Sequence, residues 1–174
     1  MRIITSKEER RRLMKYIEIA ADLGTQSTCK KSQRGFVIVQ YNQIVGRGYN
    51  RPTVPDLCCM REAMTDQSRK ELCDAEHAEV MGTLDMFKHH YHTTMDRSMI
   101  ATMGIHAKVK DGRPVPGGEP SCPGCSILML SSGIEAMLLW EKEASGGEKM
   151  CLYDMKEFNR RSLEYHLRHH RQKI

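Results

Sequence analysis

The sequence predicts an α/β protein, a layered sandwich formed by a single domain over residues 1–174. Segments with the helical period alternate with strand-like segments through the middle of the chain, which is typical of this class. In addition, a chain of 174 residues with 40% hydrophobic residues suits one domain with an ordinary core.

The N-terminal part predicts a helix followed by a strand hairpin. The helix covers residues 6–23, with Ser6 as its N-cap and Glu9 completing a capping box. Its apolar face consists of residues at helical spacing, namely Leu13, Ile17 and either Ala20 or Ala21. The hairpin pairs strands 36–40 and 44–47 around the short polar turn "YNQ".

The central part predicts a long excursion, a helix and a strand. Residues 51–73 have no steady period, so we expect a long loop with room for one short helix. Residues 74–90 predict a helix with a stripe of small and apolar residues. Residues 98–110 are apolar and β-branched enough to form a strand.

The C-terminal part predicts a loop, a helix, a strand and a final helix. The stretch "KDGRPVPGGEPSCPG", residues 110–124, is rich in proline and glycine and predicts a loop. A helix over residues 125–132 ends before Gly133. Residues 134–142 predict a strand, and a strongly charged, basic helix follows at about residues 154–170.

Composition and charge exclude some classes of protein. The sequence has no run of about eighteen apolar residues, which excludes a membrane span. Its start, "MRIITSKEERRRL", lacks the apolar region of an export signal, so we expect a cytoplasmic protein. The net charge of +5 comes from 27 basic and 22 acidic residues, much of it near the two ends. Such charge runs usually form solvated helix faces, and aromatic residues are not interleaved with them, so nucleic acid is not the expected partner.

Two short motifs carry the candidate chemistry. "CDAEHAEVMG" contains His77 and Glu79, and "GEPSCPGCSI" contains Cys122 and Cys125. In a reducing compartment the seven cysteines point to metal binding, catalysis or burial rather than to disulfides. A catalytic zinc takes three nitrogen or sulfur ligands and keeps one position for water. His77, Cys122 and Cys125 supply that set of ligands.

The position of Glu79 suits a group that handles protons beside the ion without binding it. The start of a helix favours thiolate over thiol at the Cys-x-x-Cys motif, and zinc lowers the pKa of bound water to about 7. A carboxylate can take that proton and pass it to a ring nitrogen and then to a leaving amine. His-x-Glu followed by Pro-Cys-x-x-Cys is the signature of zinc-dependent deaminases.

With these motifs, the sequence resembles the cytidine deaminase superfamily, and within it the deoxycytidylate (dCMP) deaminase branch. The resemblance covers most of residues 10–140 and rests on "STCKKSQRGFVIV", "GRGYNRP", "CDAEHAE" and "PSCPGC". It implies a three-layer sandwich with a central mixed β-sheet flanked by helices, and a zinc site at two helix N-termini. It also implies that Asn50 lies near the sugar of a bound nucleotide and that the protein forms a homo-oligomer.

The sequence departs from that branch at three places. Ser121 stands between Pro120 and Cys122, where the family usually has proline directly before cysteine. "VMG" follows Glu79 where the branch commonly has Asn-Ala, and "KVKDGRPVPGG" intervenes where the strand usually ends in Tyr-x-Thr. These positions line the base and phosphate in the family, and we expect the loop 111–121 to form part of the pocket rim and to set base selection.

The resemblance also suggests a second, structural zinc, which some relatives hold with upstream cysteines. The candidates here are Cys29, Cys58 or Cys59, and Cys73. The fourth ligand would be His106 or a histidine of "KHHYH", and buried free thiols are the alternative reading of these cysteines. Cys151 is predicted to lie in the core.

The expected activity is therefore hydrolytic deamination of a free cytosine nucleotide, dCMP to dUMP, with release of ammonia. The alternatives are another free nucleoside, a purine base or a modified heterocycle; a less favoured one is editing of nucleic acid, and another is a non-enzymatic zinc module. Arg51 could hold a phosphate through its planar guanidinium, or it could be an exposed loop residue.

Overall fold

A central sheet with helices on both faces forms the protein, as a computed structural model shows for residues 1–29, 32–53, 75–90 and 102–171. The helices of this described part are α1 (Lys7–Thr25), α2 (Ala78–His90), α3 (Pro123–Ser131) and α4 (Met155–Arg171). Its strands are β1 (Arg2–Ile3), β2 (Gln33–Gln40), β3 (Gln43–Tyr49), β4 (Arg51–Pro52), β5 (Ala75–Glu76), β6 (Met103–Lys110), β7 (Arg113–Val115), β8 (Ala136–Lys142) and β9 (Glu148–Asp154).

The main sheet is mixed and has the strand order β1-β9-β8-β6-β2-β3. Its parallel pair joins the start of β6 to β8, and α3 makes the crossover between these two strands. The other pairs are antiparallel, including the short β7, which continues the β8 side of β6 and pairs with the last residues of that strand. A separate two-stranded pairing joins β4 to β5, so it places the start of α2 beside the end of β3.

Each face of the sheet has its own buried core. On one face α1 packs on β2, β6 and β8 through residues such as Ile17, Val37 and Ile105. On the other face α2, α3 and α4 pack on the same sheet through residues such as Phe36, Met129 and Phe158. Because side chains alternate along a strand, the residues of β2 and β6 that point away from α1 face the starts of α2 and α3. The predicted three-layer sandwich is confirmed.

The first helix begins as predicted, although one half of the predicted capping box does not form. Ser6 Oγ accepts a hydrogen bond from the backbone N–H of Glu9, at 3.4 Å. The Glu9 carboxylate instead pairs with the Arg2 guanidinium, at 2.7 and 2.9 Å. The strand after the helix packs so closely on it that a Cβ at Gly35 would lie 1.6 Å from the carbonyl oxygen of Ala20. Only glycine fits at this contact.

The predicted hairpin is confirmed, with longer strands than the sequence indicated. Tyr41 and Asn42 occupy the turn with φ of 50° and 61°. Two consecutive residues with positive φ fit a tight two-residue hairpin turn, whose twist matches that of the flanking strands. On its other edge β2 pairs with β6, which sets Arg34 and Phe36 opposite Lys108 and His106.

Four predictions about elements need correction. The helix predicted from residue 74 begins at Ala78, because Ala75–Glu76 pairs as a strand with Arg51–Pro52. Within the predicted loop 110–124, Arg113–Val115 forms a strand on β6. The third helix begins two residues earlier than predicted, at Pro123.

The fourth correction is that the sequence reading left out β9, whose residues pair along the whole of β8. Most of the predicted 51–73 excursion and the first residues of the predicted 98–110 strand lie outside the described residues. Among the described residues, no helix is both long and apolar enough to cross a lipid bilayer.

Candidate active site

Three side chains of types that can bind metals, two of them distant in sequence from the third, meet at the starts of two helices. His77 Nδ1 lies 3.1 Å from Cys125 Sγ and 3.4 Å from Cys122 Sγ, and the two sulfur atoms lie 3.0 Å apart. Zinc–nitrogen and zinc–sulfur bonds are about 2.0 to 2.3 Å long, so ligand atoms this close together can all reach one ion. These residues form the group that could hold a metal ion within the described part of the chain.

Local sequence explains why the candidate ligands lie at helix starts. Cys122 is the N-cap of α3, and its Sγ accepts a hydrogen bond from the N–H of Cys125 at 3.3 Å. Pro123 occupies the first turn, where proline is favoured because its φ suits the helix and no N–H is needed. On the other helix, the carbonyl of His77 accepts from the N–H of Met81 at 3.1 Å, so His77 directly precedes α2. Both helices therefore direct their positive ends at the cluster.

The contacts within the cluster shift the pKa values of its members. Hydrogen bonds from Cys125 and then from His77 lower the pKa of Cys122 to about 4. The hydrogen bond with Cys122 raises the pKa of Cys125, and burial adds to that shift. The hydrogen bond with Cys122 also raises the pKa of His77. One sulfur is thus a thiolate at neutral pH, which is the form that binds metals.

Glu79 is a buried carboxylate in the first turn of α2, two residues after His77. Ser121 Oγ donates a hydrogen bond to Glu79 Oε1 at 2.6 Å. His106 Nε2 lies 3.8 Å from the same oxygen, and the His106 side chain is only 9% exposed. Neither contact involves Oε2 of Glu79. One carboxylate oxygen is therefore held in place by this pair of neighbours.

The charge states of this pair follow from burial and from the neighbouring groups. Burial lowers the pKa of His106 to about 4, so its imidazole is neutral at pH 7. Burial raises the pKa of Glu79, but His106 and the hydrogen bond from Ser121 lower it, and the net direction is downward. Glu79 is therefore ionised at neutral pH and can accept a proton.

Ser121, one of the departures noted in the sequence, is fixed from two sides. Its hydroxyl donates to Glu79, and its carbonyl oxygen accepts a short hydrogen bond from Ser162 Oγ on α4. Ser162 is fully buried and Ser121 nearly so. The last helix thereby holds the peptide that carries both Ser121 and Cys122.

Arg34 lies at the start of β2, with its side chain only 18% exposed. Its Nε donates to Ser32 Oγ at 2.7 Å, and its Nη2 lies 3.6 Å from Glu119 Oε2. Burial lowers the pKa of Arg34, and the charges of Glu79 and Glu119 partly offset that shift. A guanidinium thus lies between the candidate catalytic carboxylate and the predicted rim loop.

The predicted substrate residues Asn50 and Arg51 have different surroundings. The Asn50 side chain bridges backbone groups: Oδ1 accepts from the N–H of Arg34 at 2.7 Å, and Nδ2 donates to the carbonyl of Ser32 at 2.8 Å. Arg51 is 48% exposed, with Nε at 3.3 Å from Glu76 Oε2, and it lines a small pocket beside β3. Their roles toward a substrate stay predictions.

The predicted second zinc site lies mostly outside the described residues. Cys58, Cys59 and Cys73 are not among them, while Cys29 is half-buried and Cys151 is fully buried, as predicted for a core residue. His106, suggested above as a fourth ligand, lies beside Glu79 instead.

Sequence reasoning missed Arg34, His106 and Ser121 as neighbours of Glu79. Alternation along β2 and β6 indicates which residues of each strand share a face, but a lone strand does not reveal which face carries the site. The replacement of proline by Ser121 was visible in the sequence. Its hydrogen bond with Glu79 was not, because it joins residues 42 positions apart.

Comparison with known proteins identifies the fold. No protein-family model matches the sequence, and no curated protein matches it. The crystal structure of dCMP deaminase from the cyanophage S-TIM5 in apo form is similar, with a TM-score of 0.50, 18% identity and coverage of 76% of this chain and 82% of that chain. The same enzyme in complex with dCMP and dUMP gives a TM-score of 0.51 and 20% identity, covering 77% and 82%.

These likenesses show that the chain has the cytidine deaminase-like fold. Both solved structures are dCMP deaminases, the branch that the sequence motifs resemble.

Proposed function

We propose that the protein is a zinc-dependent hydrolytic deaminase that converts a free cytosine nucleotide, dCMP, to dUMP and releases ammonia. One observation carries the proposal: an imidazole and two sulfur atoms meet within 3.4 Å of one another next to a buried carboxylate, Glu79. The order of these residues along the chain is that of the deaminase signature. The structurally similar enzyme crystallised with dCMP and dUMP supports a nucleotide substrate.

His77, Cys122 and Cys125 would hold the zinc ion. The donor set fits zinc, which favours nitrogen and sulfur ligands, and three protein ligands leave one coordination position open. When bound, zinc supplies Lewis acidity and lowers the pKa of water to about 7. The lowered pKa of Cys122 suits the cluster to a cation, because a thiolate is already available there.

Glu79 would move the protons of the reaction. Water adds to the ring carbon that carries the amino group, the carbon–nitrogen bond then breaks, and ammonia leaves, so a cytosine ring becomes a uracil ring. Glu79 accepts a proton from the water, delivers it to the ring nitrogen and passes a second one to the departing amine. Since Ser121 and His106 both lie against Oε1, we expect Oε2 to exchange these protons.

Two further properties belong to the same proposal. The resemblance to the dCMP deaminase branch supports a homo-oligomer, which size-exclusion chromatography with light scattering would measure. The second property is a cytoplasmic location, which we propose because the substrate is a free nucleotide.

Release of ammonia from a panel of compounds tests the proposed function. We expect the zinc-loaded protein to turn over dCMP in preference to deoxycytidine, cytosine, purine bases, a pterin and a cytosine-containing oligonucleotide. Preference for another free ring would keep the chemistry and reject dCMP as the substrate. A lack of ammonia release from every compound would reject the enzyme and favour a non-enzymatic zinc module.

Ser121→Ala is expected to lower kcat for dCMP by about tenfold, the size of one buried hydrogen bond to a charged group, with little change in KM. The hydroxyl orients the Glu79 carboxylate and is not expected to contact the substrate. Ser121→Thr keeps a hydroxyl and should recover most of the lost kcat. Steady-state kinetics together with zinc content per chain would check this. Equal kcat values for Ser121→Ala and the unchanged protein would contradict the orienting role.

A further inference from the structure

Two cationic side chains lie next to each other on the sheet face that carries the candidate active site. Arg34 on β2 and Lys108 on β6 are direct register partners. Phe36 and His106, the next register pair on the same face, pack toward α2 and contact Glu79, respectively. Because direct cross-strand partners have Cβ atoms about 5 Å apart, both cations can reach one ligand group.

The surroundings of Arg34 leave part of its guanidinium available. The group carries five N–H donors, of which Nε is used by Ser32 at 2.7 Å. The contact of Nη2 with Glu119 is 3.6 Å long, and the Glu119 side chain is 51% exposed. Such an exposed carboxylate contributes little as an ion-pair partner, so a stronger anion can replace it.

The loop 111–121, predicted above to form part of the pocket rim, covers the Arg34 and Lys108 side chains. A Cβ on Gly117 would lie 3.4 Å from Arg34 Nη1 and 3.7 Å from Lys108 Cβ, so the loop backbone passes directly over both side chains. A bulkier residue there would crowd the guanidinium. Half-buried walls of this kind strengthen a charge-assisted hydrogen bond by excluding water.

We propose that Arg34 and Lys108 form the subsite that holds the phosphate monoester of the substrate. In the absence of substrate, the Glu119 carboxylate pairs with the Arg34 guanidinium, and the phosphate displaces it. This inference rests on the proposed function and deepens it, because it makes the protein selective for a nucleotide over a nucleoside. Two adjacent cations match the roughly double negative charge of a phosphate monoester, whereas each phosphodiester of a nucleic acid strand carries a single charge, so the subsite favours the monoester.

Two substitutions with opposite expected signs test the subsite. Arg34→Gln should lower kcat/KM for dCMP by about 10- to 100-fold, the range for a hydrogen bond to a charged group, and change kcat/KM for deoxycytidine by less than about threefold. Glu119→Gln removes the competing carboxylate and should lower KM for dCMP by about two- to fivefold. Were the Arg34–Glu119 pair only structural, both changes would act in the same direction on both substrates, and the proposal would be rejected.

Binding measurements separate the subsite from catalysis. By calorimetry, dUMP should bind the unchanged protein at least about tenfold more tightly than deoxyuridine, and Arg34→Gln or Lys108→Gln should reduce that ratio. Inorganic phosphate should compete with dUMP but not with deoxyuridine. Equal affinities for dUMP and deoxyuridine would overturn the subsite, even if the protein deaminates cytosine rings. Conversely, tight dUMP binding without ammonia release would overturn the proposed function alone.

Turnover of an oligonucleotide tests whether the subsite binds the monoester of a free nucleotide or a phosphodiester of a nucleic acid strand. A single-stranded oligonucleotide with one cytosine should be a poorer substrate than dCMP and should be little affected by Arg34→Gln. A better oligonucleotide substrate whose turnover falls with Arg34→Gln would reject the monoester assignment.

Discussion

Glu79→Gln is expected to reduce kcat for dCMP by about 10²- to 10⁴-fold, which is the usual contribution of a general acid–base group. Glutamine has nearly the same shape as glutamate and can still accept the hydrogen bond from Ser121, so the fold and the zinc content should not change. What it cannot do is accept and return a proton. Ammonia release under substrate saturation would measure the loss.

Glu76→Gln is a matched control for that substitution. Glu76 lies three residues earlier, is 31% exposed and pairs with the exposed Arg51 at 3.3 Å. Such exposed ion pairs contribute little to stability, so this variant should retain activity within about threefold. If Glu79→Gln retained full activity while dCMP was still turned over, another group would have to move the protons.

Cys122→Ser is expected to remove the catalytic zinc and with it the activity. Loss of a residue that merely hydrogen-bonds a metal ligand already costs about 10- to 100-fold in metal affinity, so loss of a ligand should exceed about 100-fold. Serine is a favourable N-cap, so it can still accept from the N–H of Cys125 and preserve the start of α3. The change therefore tests the metal rather than the helix. Mass spectrometry of the metal content per chain, together with kcat for dCMP, would measure both losses.

Cys29→Ser provides the control and also counts the zinc ions. Cys29 is half-buried and lies outside the cluster of His77, Cys122 and Cys125. If one zinc is bound per chain, Cys29→Ser should leave the metal content and the activity unchanged. If two are bound, it should remove one ion without removing the catalytic one. Retention of metal and activity by Cys122→Ser would contradict the proposed ligand set.

Local patterns were sufficient to predict where the first helix begins and where the third ends, and to single out the candidate metal ligands. Ser6 and Gly133 predicted helix boundaries because capping depends on residues only a few positions apart. The pair Cys122 and Cys125 predicted a ligand pair for the same reason, and His77 followed from a motif. The three side chains come within 3.4 Å of one another only in the folded chain, and the order of the motifs implied this convergence.

Pairings between distant segments decided what the sequence could not predict. Residues 75–76 lie before a helical pattern, yet they pair with Arg51–Pro52 and become a strand. Arg113–Val115 contains a proline and follows a turn, so it indicated a loop, but it pairs with β6 as a short edge strand, where proline is tolerated. The contact of His106 with Glu79 and the position of Arg34 also depend on the register between strands, which no single segment encodes.

The hydrogen bond from Ser162 to the carbonyl of Ser121 has a consequence for how the protein matures during synthesis. Helix α4 leaves the ribosome after every strand of the main sheet. A nascent chain can therefore pair its strands while the segment before Cys122 still lacks its anchor. The peptide that carries Ser121 and Cys122 would then be fixed in position only once α4 docks against it.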